Sequence, residues 1–550
     1  MLVLAPVPAA RRDVDGVCQA LKERAGPVGR LDLTHNVVSL QAALALADII
    51  REHGVRELVL SGSACPAKDA QIAQVVQHLQ SQRSCSTNGH QALRLLDLRN
   101  TNLGVSGSQS RSPLHHHMLS QIQAGGALAS VRELNLSNSF IGGFSGNGAT
   151  VSILAELLKR APHLHTLDLS RNRLSGQAVE TVVNALLRMC AARPVGAGMR
   201  ALLLDWNNEM GNKGAFAAGH LLSRCRASMR KLSLASCGLR EAAARALAAG
   251  ASQTQSSHVS GGLDALSISA AHEAAQQQQQ QQHQTEAAAE GANHNATAAA
   301  SAAAAAPAEP GCDVDLSCNH ISATGLTFLA HALLHAALPV TALRLRSNDH
   351  IGDAAGDPVS ALAAFVQALA TAPRLRVLDL SGTRVPPQHL LHFAACLRDS
   401  WAAGRRPPRP PLAALNLSRC QVGVHNAQAL CAALRGAPPP CGHPLRVLCL
   451  RQCDVGVGGA AALAQLLRGD ARLKFVQLGQ RPAGEAGGRA VAAACREMEG
   501  TVRVSTDPWP LPLKVTLLLC TALRLPHEAY ARVFACLRTP VVRRVEADCG

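Results

Sequence analysis

Along Leu164–Gly176, LHTLDLSRNRLSG, apolar side chains fall at Leu164, Leu167, Leu169 and Leu174, with Asn172 among them. The alternation Leu167–Asp168–Leu169 predicts a short strand with one buried face, because successive strand side chains point to opposite sides. Asn172 predicts a turn, since a carboxamide can pair with backbone groups that a strand leaves open where it bends. Val179, Val182, Val183, Leu186 and Leu187 follow at helical spacing and supply a second apolar face. So short a unit buries neither face by itself, so copies have to stack.

Copies run along most of the chain. VGRLDLTHNVV carries Leu31, Leu33 and Asn36, with Leu40, Leu44 and Leu46 behind it at helical spacing. VRELVLSGS (Leu58, Leu60), LRLLDLRNTNLG (Leu96, Leu98) and VRELNLSNSFIG (Leu134, Leu136) lead to the unit at Leu164. MRALLLDWNNEMGNKGA (Leu202, Leu204) and MRKLSLASCGL (Leu232, Leu234) follow it. LDALSIS, with Leu266 and Ile268, reads as a further strand whose turn residues are lost. The Ala- and Gln-rich stretch 270–310, with Gln276–Gln282 unbroken, has little to bury and reads as a disordered loop. Regularity returns with VDLSCNHIS, VTALRLRSNDHIGDAAG, LRVLDLSGTRV, LAALNLSRCQV, LRVLCLRQCDV and LKFVQLGQR. The bare unit is roughly 28 residues. Longer spacings put the excess in loops after helices, such as Gly404–Pro411 and Ala437–Pro444, where proline blocks helix continuation. In the two units that read N-x-x-hydrophobic-G, Asn207–Gly211 and Asn348–Gly352, glycine is expected to allow a tight entry into a helix.

A unit of this length, with a helix on its outer side and Asn or Cys in the turn slot, resembles the ribonuclease-inhibitor-like class of leucine-rich repeats. The resemblance covers roughly residues 28–480. It implies an α/β solenoid, a horseshoe with parallel concave strands and outer helices, of about 13–14 repeats. The expected organisation is an N-terminal cap over 1–27, repeats over 28–269, the insertion over 270–310, repeats over 311–500 and a helical cap over 501–550. Within that last segment LPHEAYARVFACL (Leu525, Pro526, Glu528, Val533, Phe534, Leu537) resembles the start of an F-box, which implies docking on a ubiquitin-ligase adaptor. The plainer reading is an element that covers the last open layer. One enzyme-related reading stays open beside it, a Ran-type GTPase-activating protein, because those proteins are built from similar repeats; they typically end in a strongly acidic segment, whereas this chain ends basic and no arginine matches their catalytic finger by motif.

Composition narrows the class of partner. Hydrophobic residues make up 47% and aromatics only 2%, so Leu, Val and Ala have to fill a continuous core. The net charge of +16 rests on 53 basic residues, but no basic run with interleaved aromatics suggests a nucleic-acid surface. Many basic residues sit where helices are expected to end, at Lys159, Arg160, Arg188, Arg398 and Arg468, and there they oppose the helix dipole. Of 18 cysteines, Cys237, Cys420 and Cys453 occupy the turn slot, Cys396 and Cys431 lie on apolar helical faces, and no CxxC occurs. That usage suits a reducing compartment, and a cytoplasmic location is expected. The N-terminus, MLVLAPVPAARR, lacks the charge order of a secretory signal, and no apolar run reaches bilayer length. The sequons at Asn135 and Asn416 fall inside expected strands, which argues against their glycosylation.

Residues between and beside the strand leucines point to the concave face. Asp32, Asp97, Asp168, Asp315 and Asp379, with Asn135 and Asn416, form one such column, and Asp is expected there to bond along the ladder. Arg99, Arg171, Arg344, Arg346, Arg419 and Arg451 are read as filling neighbouring columns. Trp206, next to Asp205, has the composition of an interface anchor flanked by charge. The candidate protein-binding residues are therefore Asp168, Arg171, Asp205, Trp206, Arg344, Arg346, Arg419 and Arg451, centred on Arg171, Asp205 and Trp206. The R-x-x-P-x-x-P pattern at Arg405, Pro408 and Pro411 is read as a stiff spacer, and His115–His117 lack companions at metal-ligand spacing. No phosphate loop, H-E-x-x-H or G-x-S-x-G occurs. The expectation is a non-enzymatic scaffold that calls for a protein partner and no cofactor, metal, nucleic acid or small molecule.

Overall fold

Each repeat contributes a strand only three or four residues long, because the chain must turn as soon as its two leucines are buried. The computed structural model describes chiefly residues 29–34, 55–61, 93–100, 130–252, 311–402, 412–435, 445–478 and 503–506, with short gaps. The Gln/Ala stretch, LDALSIS, the His115–His117 run, the Arg405–Pro411 pattern and the F-box-like segment lie outside the described residues. The chain divides into two units, Met1–Val314 with Ala337–Pro339, and Asp315–Ala336 with Val340–Gly550.

In the first unit the strands are β1 (Arg30–Asp32), β2 (Glu57–Val59), β3 (Leu95–Asp97), β4 (Glu133–Asn135), β5 (Thr166–Asp168), β6 (Ala201–Leu203) and β7 (Lys231–Ser233). They pair in parallel in chain order, and the register stacks Leu31, Leu58, Leu96, Leu134, Leu167, Leu202 and Leu232 on one another. All seven are essentially without solvent contact. The strand after β7 in the sheet is β8 (Cys312–Asp315), where the N–H of Asp313 donates to Arg230 O at 2.8 Å.

The second unit repeats the arrangement with β9 (Val340–Arg344), β10 (Val377–Asp379), β11 (Ala414–Asn416), β12 (Val447–Leu450), β13 (Phe475–Leu478) and β14 (Arg503–Thr506). Leu343, Leu378, Leu415, Leu448, Val476 and Val504 form its central row. β14 extends the row at a point where the apolar alternation of the sequence has already faded. Each unit is an α/β solenoid of parallel strands backed by helices.

At most of the described strand ends one small polar side chain ties its repeat to the one before. In the first unit Ser139 Oγ donates to Leu98 O at 3.2 Å and Asn172 Nδ2 to Leu136 O at 2.8 Å. Asn207 Nδ2 reaches Leu169 O at 3.1 Å, and the Cys237 thiol reaches Leu204 O at 3.2 Å. The second unit does the same with Asn348 to Leu316 O, Cys420 to Leu380 O and Cys453 to Leu417 O, each at 3.0 Å. Asparagine also accepts: Asn207 Oδ1 takes the N–H of Asn172 at 3.1 Å and of Leu174 at 2.9 Å. Burial pushes the Cys237, Cys431 and Cys453 thiols up to about 12, and in the two turn cysteines this keeps the proton that the bond donates.

The helices of the first unit are α1 (Gly148–Lys159), α2 (Gly176–Ala191), α3 (Gly211–Arg224) and α4 (Glu241–Ser252). Ser175 opens α2, its Oγ accepting the Ala178 N–H at 3.3 Å, and Val179, Val182, Val183 and Leu186 are buried as their spacing requires. Leu187 is only half-buried, since it is turned about 100° from the centre of that face. Gly211 enters α3 with φ +53°, a left-handed conformation that glycine adopts without strain. Farther along, α3 and α4 touch through glycines: a Cβ on Gly219 would lie 2.2 Å from Leu247 O, and one on Gly250 would lie 2.2 Å from Phe216 O.

In the second unit the helices are α5 (Ala323–Leu334), α6 (Pro387–Ala402), α7 (Gly423–Arg435) and α8 (Gly456–Gly469), and Asp349–Gly352 forms a 3-10 turn. Lys159, Arg188 and Arg468 lie in the last turns of their helices as expected, and the structure adds Arg435. Arg398 does not, because α6 continues through Ala402. Cys396 is half-buried on α6 with its sulfur 3.4 Å from His392 Nε2, so it does not lie on the buried face expected for it.

The side-chain bonds at the turns should dominate stability. Asn207→Ala deprives two carbonyls and two N–H groups of a partner and is expected to lower the unfolding free energy by about 3 kcal/mol or more. Asn207→Cys, which keeps a donor, should cost less. Denaturant titration followed by circular dichroism measures both.

Candidate protein-binding face

Alternation along the strands leaves three outward columns in each unit: the residue before the first leucine, the one between the leucines and the one after the second. In the first unit the middle column runs Asp32, Val59, Asp97, Asn135, Asp168, Leu203 and Ser233. Its Asp and Asn residues do not bond along the ladder as the sequence suggests. Each turns inward on its own repeat and accepts the N–H two residues on: Thr34 to Asp32 at 3.1 Å, Arg99 to Asp97 at 3.1 Å, Ser137 to Asn135 at 3.0 Å and Ser170 to Asp168 at 2.9 Å. The second unit matches this with Ser317 to Asp315, Ser381 to Asp379 and Ser418 to Asn416. The strand has just ended there, so the nearest open donor is local.

One residue farther on, successive repeats place an amino acid in the left-handed region. The positions are Asn100 (φ 58°), Asn138 (54°), Arg171 (60°), Trp206 (63°) and Ser236 (55°) in the first unit. In the second they are Cys318 (56°), Ser347 (53°), Gly382 (68°), Arg419 (62°) and Gln452 (55°). A non-glycine residue there costs on the order of 1 kcal/mol. The cost is offset because the N–H of that residue continues the ladder, as from Arg171 to Asp205 O at 2.7 Å and from Trp206 to Ala235 O at 2.8 Å. Neighbouring side chains of this column meet: Asn138 Nδ2 donates to Asn100 Oδ1 at 2.7 Å, and the Arg171 guanidinium lies 5.0 Å from the Trp206 ring centre. Asn and Gly at several of these positions carry the only sequence signal for the column, since both tolerate positive φ.

Four candidate residues of the first unit come together here. Asp168 and Arg171 belong to the repeat of β5, and Asp205 and Trp206 to that of β6. Trp206 is 52% exposed, the one large aromatic so exposed among the described residues, and Arg171 covers one of its faces. Asp205 Oδ1 accepts from Ser233 Oγ at 2.6 Å and from the Ala235 N–H at 2.8 Å, which holds the carboxylate on the strand face. Arg344, Arg346, Arg419 and Arg451 all belong to the second unit. Arg344 is not in a neighbouring column but in the carboxylate's own, because Leu343–Arg344–Leu345 pairs in register with Leu378–Asp379–Leu380. Arg419 and Arg451 sit on adjacent repeats, the N–H of Arg419 donating to Arg451 O at 2.7 Å. Among the described residues no cluster of His, Cys, Asp and Glu is arranged to hold a metal ion, and no helix is long and apolar enough to cross a membrane.

A family model for the "Leucine Rich repeat" matches residues 160–183 and 313–330, which span the units of Asn172 and Asn319. The chain is a leucine-rich-repeat protein. The described helices behind β4 to β8 and β10 to β12, and the Asn, Cys or Thr at the turns, are those of the ribonuclease-inhibitor-like kind. Among solved structures it is similar to the leucine-rich repeat-containing protein LegL7 from Legionella pneumophila, with 14% identity over 74% of this chain and 91% of that one, at a TM-score of 0.35. No curated protein matches the chain at a significant level.

In the middle column of this leucine-rich-repeat sheet, Asp97 is the most enclosed carboxylate. Burial raises its pKa, with Asp32 and Asp168 adding to the rise and Arg99 at 3.1 Å opposing it. A raised carboxylate means that the folded chain binds the proton more tightly than the unfolded one, so stability falls as pH rises past the usual value of 3.8. Asp97→Asn, which keeps the acceptor for the Arg99 N–H, is therefore expected to raise the melting temperature at neutral pH, and the gain should shrink to nothing below pH 3.8. Thermal scans of both proteins across that range test the sign.

Proposed function

We propose that the chain is a non-enzymatic interaction scaffold whose first unit binds another protein on its strand face, around Arg171, Asp205 and Trp206 with Asp168 beside them. The observation that carries this reading is the exposed Trp206 on a backbone that cannot move freely, its N–H bonded to the next repeat and one ring face packed under a guanidinium. Tryptophan and arginine supply much of the energy where proteins meet. A side chain already held in place loses little entropy on binding, so more of its contact area becomes affinity. The cation–π contact adds about 0.5–1 kcal/mol at an exposed site and grows as a partner excludes water. Asp205, fixed by Ser233 and Ala235, offers a carboxylate of defined direction beside the ring. A reducing cytoplasm suits the thiols that act as turn donors, because oxidation of Cys237 or Cys453 would remove the proton they share.

Trp206→Ala combined with Arg171→Ala is expected to cut capture of the native partner by at least about tenfold. Its melting temperature should stay close to that of the parent, since both side chains point away from the core. Affinity purification from the native cell with quantitative mass spectrometry reads the first quantity and a thermal scan the second. Equal capture by the double variant would overturn the proposal.

A further inference from the structure

The strand face of the second unit has its own chemistry. The column that follows the second leucine runs Arg346, Ser381, Ser418 and Arg451 across four successive repeats, two arginines bracketing two serines. Arg344 stands two residues before Arg346, and Arg419 rises from the left-handed turn next to Ser418. Arg346 and Arg419 are exposed, and neither forms an ion pair among the described residues; Arg419 Nε donates to the neutral Gln452 Oε1 at 2.8 Å, which leaves its charge uncompensated. The carboxylates of the face are Asp315 and Asp379, each bonded to its own turn.

We propose that this face binds an acidic peptide segment lying across the strands, with its carboxylates on Arg346 and Arg451 at the ends and on Arg419 between them. The spacing supports it. Neighbouring strands stand about 4.8 Å apart, so the end arginines, three strands apart, are separated by about 14 Å. An extended peptide rises about 3.4 Å per residue, so residues four apart span the same distance and face the same way. Ser381 and Ser418 are small and buried, Ser418 Oγ accepting the Arg451 N–H at 3.2 Å, so no charged side chain stands in the column between the two end arginines, and guanidinium is suited to paired hydrogen bonds with carboxylate. A nucleic acid fits less well. Asp379 in the adjoining column repels a continuous phosphate backbone, and Leu391 and Val457, the exposed large apolar side chains described in this unit, lie on α6 and α8 rather than on the strands. That leaves the face no described platform for stacking bases.

The test is fluorescence anisotropy on the full chain with a dye-labelled Glu-Gly-Glu-Gly-Glu probe. Comparators are the Gln-Gly-Gln-Gly-Gln and Lys-Gly-Lys-Gly-Lys probes and a short oligothymidylate. Saturable binding of the Glu probe alone is expected, weakening with added salt. It should fall about tenfold or more in Arg346→Glu/Arg419→Glu and be unchanged in Trp206→Ala, which separates this face from the first unit's. The charge-reversed variant should gain binding of the Lys probe. If that variant fails to fold, Arg346→Gln/Arg419→Gln is read in its place, with loss of Glu-probe binding expected. No saturable binding, equal binding of the Gln probe, or no effect of either double variant would overturn the proposal. Tighter binding of oligothymidylate through the same arginines would overturn it in favour of a nucleic acid.

Discussion

The structure depends on how a strand that stops after three residues disposes of its backbone carbonyls. The chain bends away while the carbonyl of the second leucine still points along the sheet, and an unpaired buried carbonyl is costly. The next repeat answers with one small polar side chain. Asparagine serves best, as Asn172 and Asn207 show, because it donates to the carbonyls and accepts the N–H groups of the bend. Cysteine supplies the donor alone, and its burial keeps that donor protonated. Most of the described turn donors reach into the preceding repeat as well as their own, so the units gain stability by stacking neighbour on neighbour.

The same bond determines what the strand face looks like. Once the turn is held, the residue just before the polar side chain is left in the left-handed conformation whatever its type, and Arg171, Trp206 and Arg419 all accept it. Their side chains then stand at the edge of the strands, where Arg171 meets Trp206 and Arg419 meets Gln452 of the next repeat. The acidic and amide residues between the leucines are occupied by their own turns and serve architecture first. Recognition is therefore carried by the residues that follow them, held by a backbone that the partner does not need to order.

Most of the fold could be read from leucine spacing, because a buried row of identical size at fixed register tolerates little else. Leu31 through Leu232 and Leu343 through Leu448 fall where that spacing puts them. The turn donors were equally plain, since Asn and Cys recur at one offset. The direction of the Asp bonds was not, because alternation tells which side a carboxylate takes but not which N–H lies nearest. The left-handed column was hidden by the variety of its residues, with Asn100, Asn138 and Gly382 as its only hints. Arg344 was misplaced by a column because sequence alone does not number the strands against each other. Of the candidate site, the nearness of Arg171, Asp205 and Trp206 followed from adjacent repeats, whereas the guanidinium over the ring needed the turn geometry.

Repeats of different length pair in unbroken register, as Leu31 does with Leu58, 27 residues on, and Leu58 with Leu96, 38 residues on. Insertions are thus invisible to the strand face. A gene encoding such a chain can lengthen its loops freely, and it can alter recognition by changing one column residue at a time. Gain or loss of a whole repeat is the coarse step: every later column then slides past a ligand by one strand width, about 4.8 Å. Binding on these faces should therefore drift by point substitution within a fixed number of repeats and change abruptly when that number changes.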